Sequence, residues 1–147
     1  MFKVIRLIEL EEGWREKPYR CSEGYPTVGY GFKLGSKECT LPEFTLPKTA
    51  GDAWLMHNLN ELTDHLSKYQ WYNKLNDARK AIILSMAYQM GVSGVLKFKN
   101  MIKSIEQDDY RNAALEMLDS RWAKQTPQRA DRHQLQMQSG AWIEYYD

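Results

Sequence analysis

The stretch Ala81-Ile82-Ile83-Leu84-Ser85-Met86-Ala87 constrains this chain more than any other. It is apolar on nearly every side at helical spacing. The helix it belongs to, read from Leu75 to Met90, must therefore be covered all round by other elements. The chain supplies helical neighbours. Leu55, Leu59, Leu62 and Leu66 recur at helical spacing, and Thr49 and Asp52 ahead of them are spaced like a capping box, with Asp in place of Glu or Gln. Gly91 is placed to end the central helix. A short helix is expected over 94–105 and another over 108–122, the latter turning Tyr110, Ala113, Ala114, Met117 and Leu118 inward. Thr126-Pro127 reads as an N-cap followed by proline at the first helical position. The last helical turns carry Trp142, Tyr145 and Tyr146.

The N-terminal third follows another rhythm. Phe2, Ile5 and Ile8 with Val4 and Leu7 make one face of a short helix, and Gly13 is placed to stop it. From there to about Cys39 the chain alternates turn formers (Gly24, Pro26, Gly29, Gly31, Gly35) with strand formers (Tyr25, Thr27, Val28, Tyr30, Phe32). No repeat, low-complexity tract or linker interrupts it. The expectation is a single α+β domain over 1–147, mostly helical. Its small β-lobe covers about 14–48, and its larger helical lobe about 49–147 together with the N-terminal helix.

A length of 147 residues suits one domain with a core of its own. Arg121, Lys124, Arg129 and Arg132 could be read as a nucleic-acid face. A formal net charge of +1 and the lack of a basic stripe elsewhere argue against nucleic acid as a partner. Cys21 and Cys39 do not make a disulfide framework, and a bridge between them is the minor expectation. The N-terminal segment is broken by charges, so it reads as neither a cleavable signal nor a membrane anchor, and no stable membrane insertion is expected. His57, His65 and His133 have no ligand spacing, so no metal site is expected.

Chemistry is concentrated in Glu12, Cys21 and Thr27. Eight residues separate the first two and five the last two. This sets a carboxylic acid at a helix end against a thiol and a hydroxyl on a hairpin. Splitting a glycosidic bond needs one group to protonate the leaving oxygen and others to manage a water or the developing cation. Cys21 has three roles open to it: activating the water, facing positive charge as a thiolate, or attacking the anomeric carbon. The thiolate roles require a lowered pKa. Taken singly, each residue has a plainer reading: Glu12 as a solvated charge, Cys21 as a small core residue, Thr27 as a strand former.

Four segments in order carry a resemblance: Leu10-Glu11-Glu12-Gly13, Glu23-Gly24-Tyr25-Pro26-Thr27-Val28-Gly29-Tyr30-Gly31, Tyr88-Gln89-Met90-Gly91, and Ser120-Arg121-Trp122-Ala123-Lys124-Gln125-Thr126-Pro127-Gln128-Arg129-Ala130. Over nearly its whole length the chain resembles the phage-type lysozymes, glycoside hydrolase family 24. The family's catalytic pattern is glutamate, eight residues, aspartate or cysteine, five residues, threonine. Glu12, Cys21 and Thr27 satisfy it. The resemblance implies a mostly helical lysozyme-like fold with a cleft between its lobes, and a muramidase that hydrolyses the β-1,4 bond between N-acetylmuramic acid and N-acetylglucosamine. It implies no metal or organic cofactor. It also implies that Arg129 orients Glu12, that Gln89 and Trp122 are mutual partners, and that Thr27 positions the water. Tyr88 and Phe32 are the candidates for offering aromatic faces to sugar rings, although packing is the simpler reading of Phe32. T-even members have aspartate in place of Cys21 and histidine in place of Phe32, and the segment 36–47 does not match them.

The expected partners are peptidoglycan glycan strands and, indirectly, a holin-type pore. The expected state is a monomer held in the host cytoplasm until that pore opens, acting on the periplasmic cell wall. Inversion is the stereochemistry the family implies, whereas direct attack by Cys21 would give retention. One rival belongs to another class: a catalytically silent wall-binding or virion structural protein of the same fold. A lysozyme carried on a virion is a further variant.

Overall fold

Helix α1 (Phe2–Glu12) buries Val4, Leu7 and Ile8 and leaves Lys3 and Arg6 exposed, the one-sided pattern its apolar spacing dictates. The side chain of Phe2, assigned to the same face, lies outside the described residues. The Gly13 N–H caps the helix on the Glu9 carbonyl at 2.9 Å. This is a computed structural model and describes residues 2–147. Packing divides the chain into two compact units, 1–58 and 59–147. Helix α1 thus groups with the strands, where the sequence reading counted it with the helices. The fold is α+β, mostly helical, with one small antiparallel sheet.

In the first unit β1 (Arg15–Arg20), β2 (Pro26–Gly29) and β3 (Phe32–Lys33) form the sheet in that order. Pro18 is accommodated because β1 is an edge strand, and the register slips between Arg15 and Tyr19. Beyond the slip, Tyr19 stands opposite Thr27, and Thr27 stands opposite Lys33. Helix α2 (Lys48–Leu66) follows, with Leu55, Leu59 and Leu66 fully buried and Leu62 half-buried. The capping box does not form. The helix starts at Lys48, and Asp52 instead accepts hydrogen bonds from Tyr30 at 2.8 Å and Lys48 at 3.3 Å.

Tyr30 is the hub of this unit. Its fully buried phenol also donates to Glu9 Oε1 at 3.0 Å, and its ring packs on Trp14 and edge-on against Phe32. One phenolic hydrogen cannot serve Glu9 and Asp52 together. Lys48 supplies the second donor, lying 3.5 Å from Glu9 and 3.3 Å from Asp52. Burial holds the Tyr30 hydroxyl far above its usual pKa, with the two carboxylates adding to the rise and Lys48 opposing it. The same contacts, led by the bond to Tyr30, hold the Lys48 ammonium above its ordinary range. Carboxylate, phenol and ammonium thereby join α1, the β2–β3 turn and α2.

In the second unit, α3 (Gln70–Asn73) is a single turn that the sequence reading missed, and it carries the buried Trp71 and Tyr72. Helix α4 (Asp77–Leu96) begins on the side chain of Asn76, which accepts from the Arg79 N–H at 3.0 Å. Every residue from Ala81 to Ala87 is buried, as the apolar run requires. Gly91 breaks the helix as expected, with φ of 81°, a conformation glycine adopts without steric cost. The helix expected over 94–105 is instead α5 (Lys99–Glu106), because the last turn of α4 occupies the residues before it. The helix expected over 108–122 is two. Helix α6 (Tyr110–Leu118) ends before Ser120, whose hydroxyl accepts from the Ala123 N–H at 3.1 Å and so starts α7 (Arg121–Gln125).

Helix α8 (Pro127–Ser139) has its proline in the first turn, but Thr126 does not cap it. Its hydroxyl donates backward to the Trp122 carbonyl at 2.9 Å. No single helix among the described residues is long and apolar enough to cross a membrane. Helices α4 and α5 pass that test only together, across a 91° bend, and the apolar run of α4 is buried in the core.

Beside α4 the second unit holds a buried polar chain. Arg129 donates to the Ser85 hydroxyl at 2.8 Å and the Ser85 carbonyl at 3.2 Å, His133 Nε2 lies 2.7 Å from the Ser85 hydroxyl, and Tyr146 lies 3.0 Å from His133 Nδ1. Burial, with the positive charges of Arg129 and Arg132, holds the His133 pKa well below 6.5. The folded protein therefore keeps this histidine neutral where the unfolded chain takes up a proton. Its stabilising effect is complete above pH 6.5 and is lost as pH falls below that value. Urea unfolding between pH 7 and pH 5 should show stability falling, and His133→Gln should reduce that slope by up to about 1.4 kcal/mol per pH unit. An unchanged slope would remove His133 from the acid response. In the first unit, Tyr30→Phe should keep the ring packing and cost about 2 kcal/mol, the scale of hydrogen bonds to charged groups.

Candidate active site

Glu12 ends α1, and its half-buried carboxylate reaches the β2–β3 turn. A methyl group added at Gly31 would stand 3.5 Å from Glu12 Oε2. Gly31 also has φ of 79°, so glycine both supplies the turn and lets the backbone approach the carboxylate. Tyr30 stands next to it in sequence, and its bond to Glu9 anchors α1 one turn before Glu12.

Cys21 follows β1 directly, and the turn after it is closed by the Gly24 N–H on the Cys21 carbonyl at 2.8 Å. The Cys21 N–H in turn donates to the Tyr25 carbonyl at 2.9 Å. Partial burial pushes the Cys21 thiol up. The N–H groups of Tyr25 and Glu23 and the Thr27 hydroxyl outweigh it, even against the Glu23 carboxylate, so the pKa lies below that of an ordinary thiol. Thr27 is buried in β2, and its hydroxyl donates to the Tyr25 carbonyl at 2.8 Å. A hydroxyl has one hydrogen. When Cys21 carries its proton it can donate to the Thr27 oxygen, and when it is a thiolate the Thr27 hydrogen can turn to the sulfur. The Tyr25 carbonyl stays bonded in either case, because the Cys21 N–H remains on it. The turn can therefore take up and release a proton without breaking its own backbone bonds.

All three residues of the spacing pattern lie in the first unit: Cys21 and Thr27 in contact on the hairpin, and Glu12 against Gly31 of the same sheet. A protein-family model described as phage lysozyme matches residues 9–136. The chain belongs to the phage lysozyme family. Among its relatives is "Probable T4-type lysozyme 1" of Dictyostelium discoideum, 31% identical over 86% of this chain and 88% of the relative. "Probable T4-type lysozyme 2" of the same organism is 30% identical over 95% of each. The "Pre-baseplate central spike protein Gp5" of Enterobacteria phage T4 is 29% identical over 88% of this chain and 26% of its own length. The protein is accordingly a lysozyme-family glycosidase.

The remaining candidates fall in different places. Phe32 does not present a face. It is 3% exposed and stacked on Trp54 with ring centroids 4.3 Å apart, so its role is packing, and its assignment as a sugar platform is corrected. Tyr88 is half-buried in α4. Trp122 Nε1 donates to Gln89 Oε1 at 2.8 Å, which joins α7 to α4. Arg129 is buried in α8 with its guanidinium on Ser85. Cys39 is exposed, and both cysteines are free thiols. The segment that follows the sheet, unmatched in the sequence reading, is tied to the hairpin by Arg20, which donates to the carbonyls of Gly24, Lys37 and Cys39. The sequence reading missed Tyr30, Ser85 and His133 as members of buried polar networks. No spacing rule reveals them, because their partners lie 13 to 48 residues away.

The lowered thiol makes a measurable difference. In a Cys39→Ser background, Cys21 should react with iodoacetamide with a half-maximal rate at a pH below the ordinary thiol value. Thr27→Val should move that midpoint upward by removing a donor to the thiolate. A midpoint indifferent to Thr27 would dissolve the pair.

Proposed function

We propose that this protein is an endolysin muramidase. It hydrolyses the β-1,4 bond between N-acetylmuramic acid and N-acetylglucosamine in bacterial peptidoglycan. The observation that carries the reading is the thiol of Cys21, set against Thr27 with its proton affinity lowered, on the sheet whose turn meets Glu12. Family membership and the relatives called lysozymes support it, as does the "Peptidoglycan hydrolase gp36" of Pseudomonas phage phiKMV, 28% identical over 82% of this chain and 13% of its own length.

In the proposed step Glu12 gives its proton to the glycosidic oxygen as the bond to the anomeric carbon breaks. A water attacks that carbon from the opposite face, oriented by the Thr27 hydroxyl, and passes its proton to the Cys21 thiolate. The products are two shorter strands, one with a new reducing end, and the anomeric configuration is inverted. Solvent then reprotonates Glu12 and accepts the Cys21 proton. Arg129 belongs to this reading as a supporting residue, and Tyr88 as a sugar contact. Release from the host cytoplasm through a holin-type pore is part of the same proposal.

Reducing-end analysis of digested peptidoglycan tests the bond: N-acetylmuramic acid at the new ends supports the reading, and N-acetylglucosamine there overturns it. Glu12→Gln keeps the side chain's size but has no acidic proton to give. It should fold normally and lose roughly 10²–10⁴-fold in rate. Activity within about twofold of wild type would remove Glu12 from the acid role. A wild-type protein that binds cell walls without releasing reducing ends would favour the silent wall-binding alternative. Cys21→Asp should retain more activity than Cys21→Ala, since a carboxylate can also accept the water's proton and alanine cannot.

A further inference from the structure

Lys33 and Lys37 both place their ammonium groups over the ring of Tyr25, 4.2 and 5.1 Å from its centroid. Both lysines are exposed, and among the described residues neither has a carboxylate within ion-pair distance. Glu23 and Glu38, acidic residues close by in the chain, pair with neither. Two like charges gathered on one ring repel each other, and the negative face of the ring offsets part of that repulsion. The arrangement is held in place. Arg20 donates to the carbonyl of Lys37 itself at 3.3 Å and to that of Cys39 at 2.8 Å, which fixes the loop that carries Lys37.

The position matters as much as the charge. Lys33 stands directly opposite Thr27 in the ladder, so the two side chains project from the same face of the sheet. The Tyr25 N–H is one of the groups that favour the Cys21 thiolate. The cations therefore adjoin the residues proposed to handle the water.

We propose that Lys33 and Lys37, mounted on Tyr25, form an anion-recognition surface that takes a carboxylate of the peptides borne by muramic acid residues of the substrate. The inference rests on the muramidase reading. Glycan strands stripped of peptide keep one carboxylate per muramic acid, on the lactyl group close to the sugar ring, whereas peptide-bearing strands offer side-chain and terminal carboxylates farther from the glycan. A pair of exposed ammonium groups recognises such groups weakly, rapidly and in a salt-dependent way.

The test compares wild type and the K33Q/K37Q double variant on three substrates: peptide-bearing glycan strands, the same strands stripped by an amidase and then methylamidated at the lactyl carboxylates this frees, and strands with peptide carboxylates converted to methylamides. On peptide-bearing strands the variant should raise KM about fivefold at low salt with kcat unchanged, a size typical of exposed charge pairs. The difference should vanish near 1 M salt, where the screening length is about 3 Å. Stripped and amidated strands should be cleaved alike by both proteins, and melting temperatures should match. An equal KM change on all three substrates, or none on any, would overturn the proposal while leaving the muramidase reading intact. If wild type cleaves none of the three, the muramidase reading itself fails.

Discussion

The phenol of Tyr30 is the fixed point on which the first unit depends. It lies buried between Glu9 of α1 and Asp52 of α2, and it sits in the β2–β3 turn between Gly29 and Gly31. Three elements far apart in the chain meet on one oxygen. Two carboxylates brought to one phenol would repel each other without a counter-charge, and Lys48 supplies it to both. Because Glu9 precedes Glu12 by one helical turn and Tyr30 precedes Gly31 by one residue, the same contacts set where the Glu12 carboxylate meets the turn. Structural support and proposed chemistry share one piece of backbone.

The hairpin uses a different means. A thiol needs its proton affinity lowered before it can serve as a base near neutral pH. Amide groups of the turn and one hydroxyl do this for Cys21. The turn that lowers the thiol is also the one whose Tyr25 ring carries Lys33 and Lys37. Substrate recognition and nucleophile activation would then be read from one five-residue connection.

The second unit shows how a polar group can be kept inside an apolar helix packing. Ser85 interrupts the apolar run of α4, and its hydroxyl is matched by Arg129 and His133 from α8, with Tyr146 closing the chain at the other ring nitrogen. The Ser85 hydroxyl and both ring nitrogens of His133 have specific partners, so the path fixes how α8 lies on α4 in addition to the apolar contacts around it. The neutral state of His133 follows from that burial and from the positive charge of its neighbours.

Most of the helical framework was legible because its signals are local. Periodicity marked α1, α2 and α4, Gly13 and Gly91 stopped helices where they stand, and the alternation of glycines with β-formers located the sheet. The spacing of Glu12, Cys21 and Thr27 was legible for the same reason. The misreadings share a cause: the side chains found tertiary partners better than their local ones. Asp52 left its capping position for Tyr30 and Lys48, Thr126 turned back to Trp122, and Phe32 went under Trp54. The sequence by itself determined which segments are helical or extended and which residues carry the proposed chemistry, because these depend on neighbours within a few positions. Only the tertiary structure decided the protonation preference of Cys21, the neutrality of His133 and the pairing of two lysines on Tyr25. Those depend on burial and on distances between side chains that no spacing along the chain encodes.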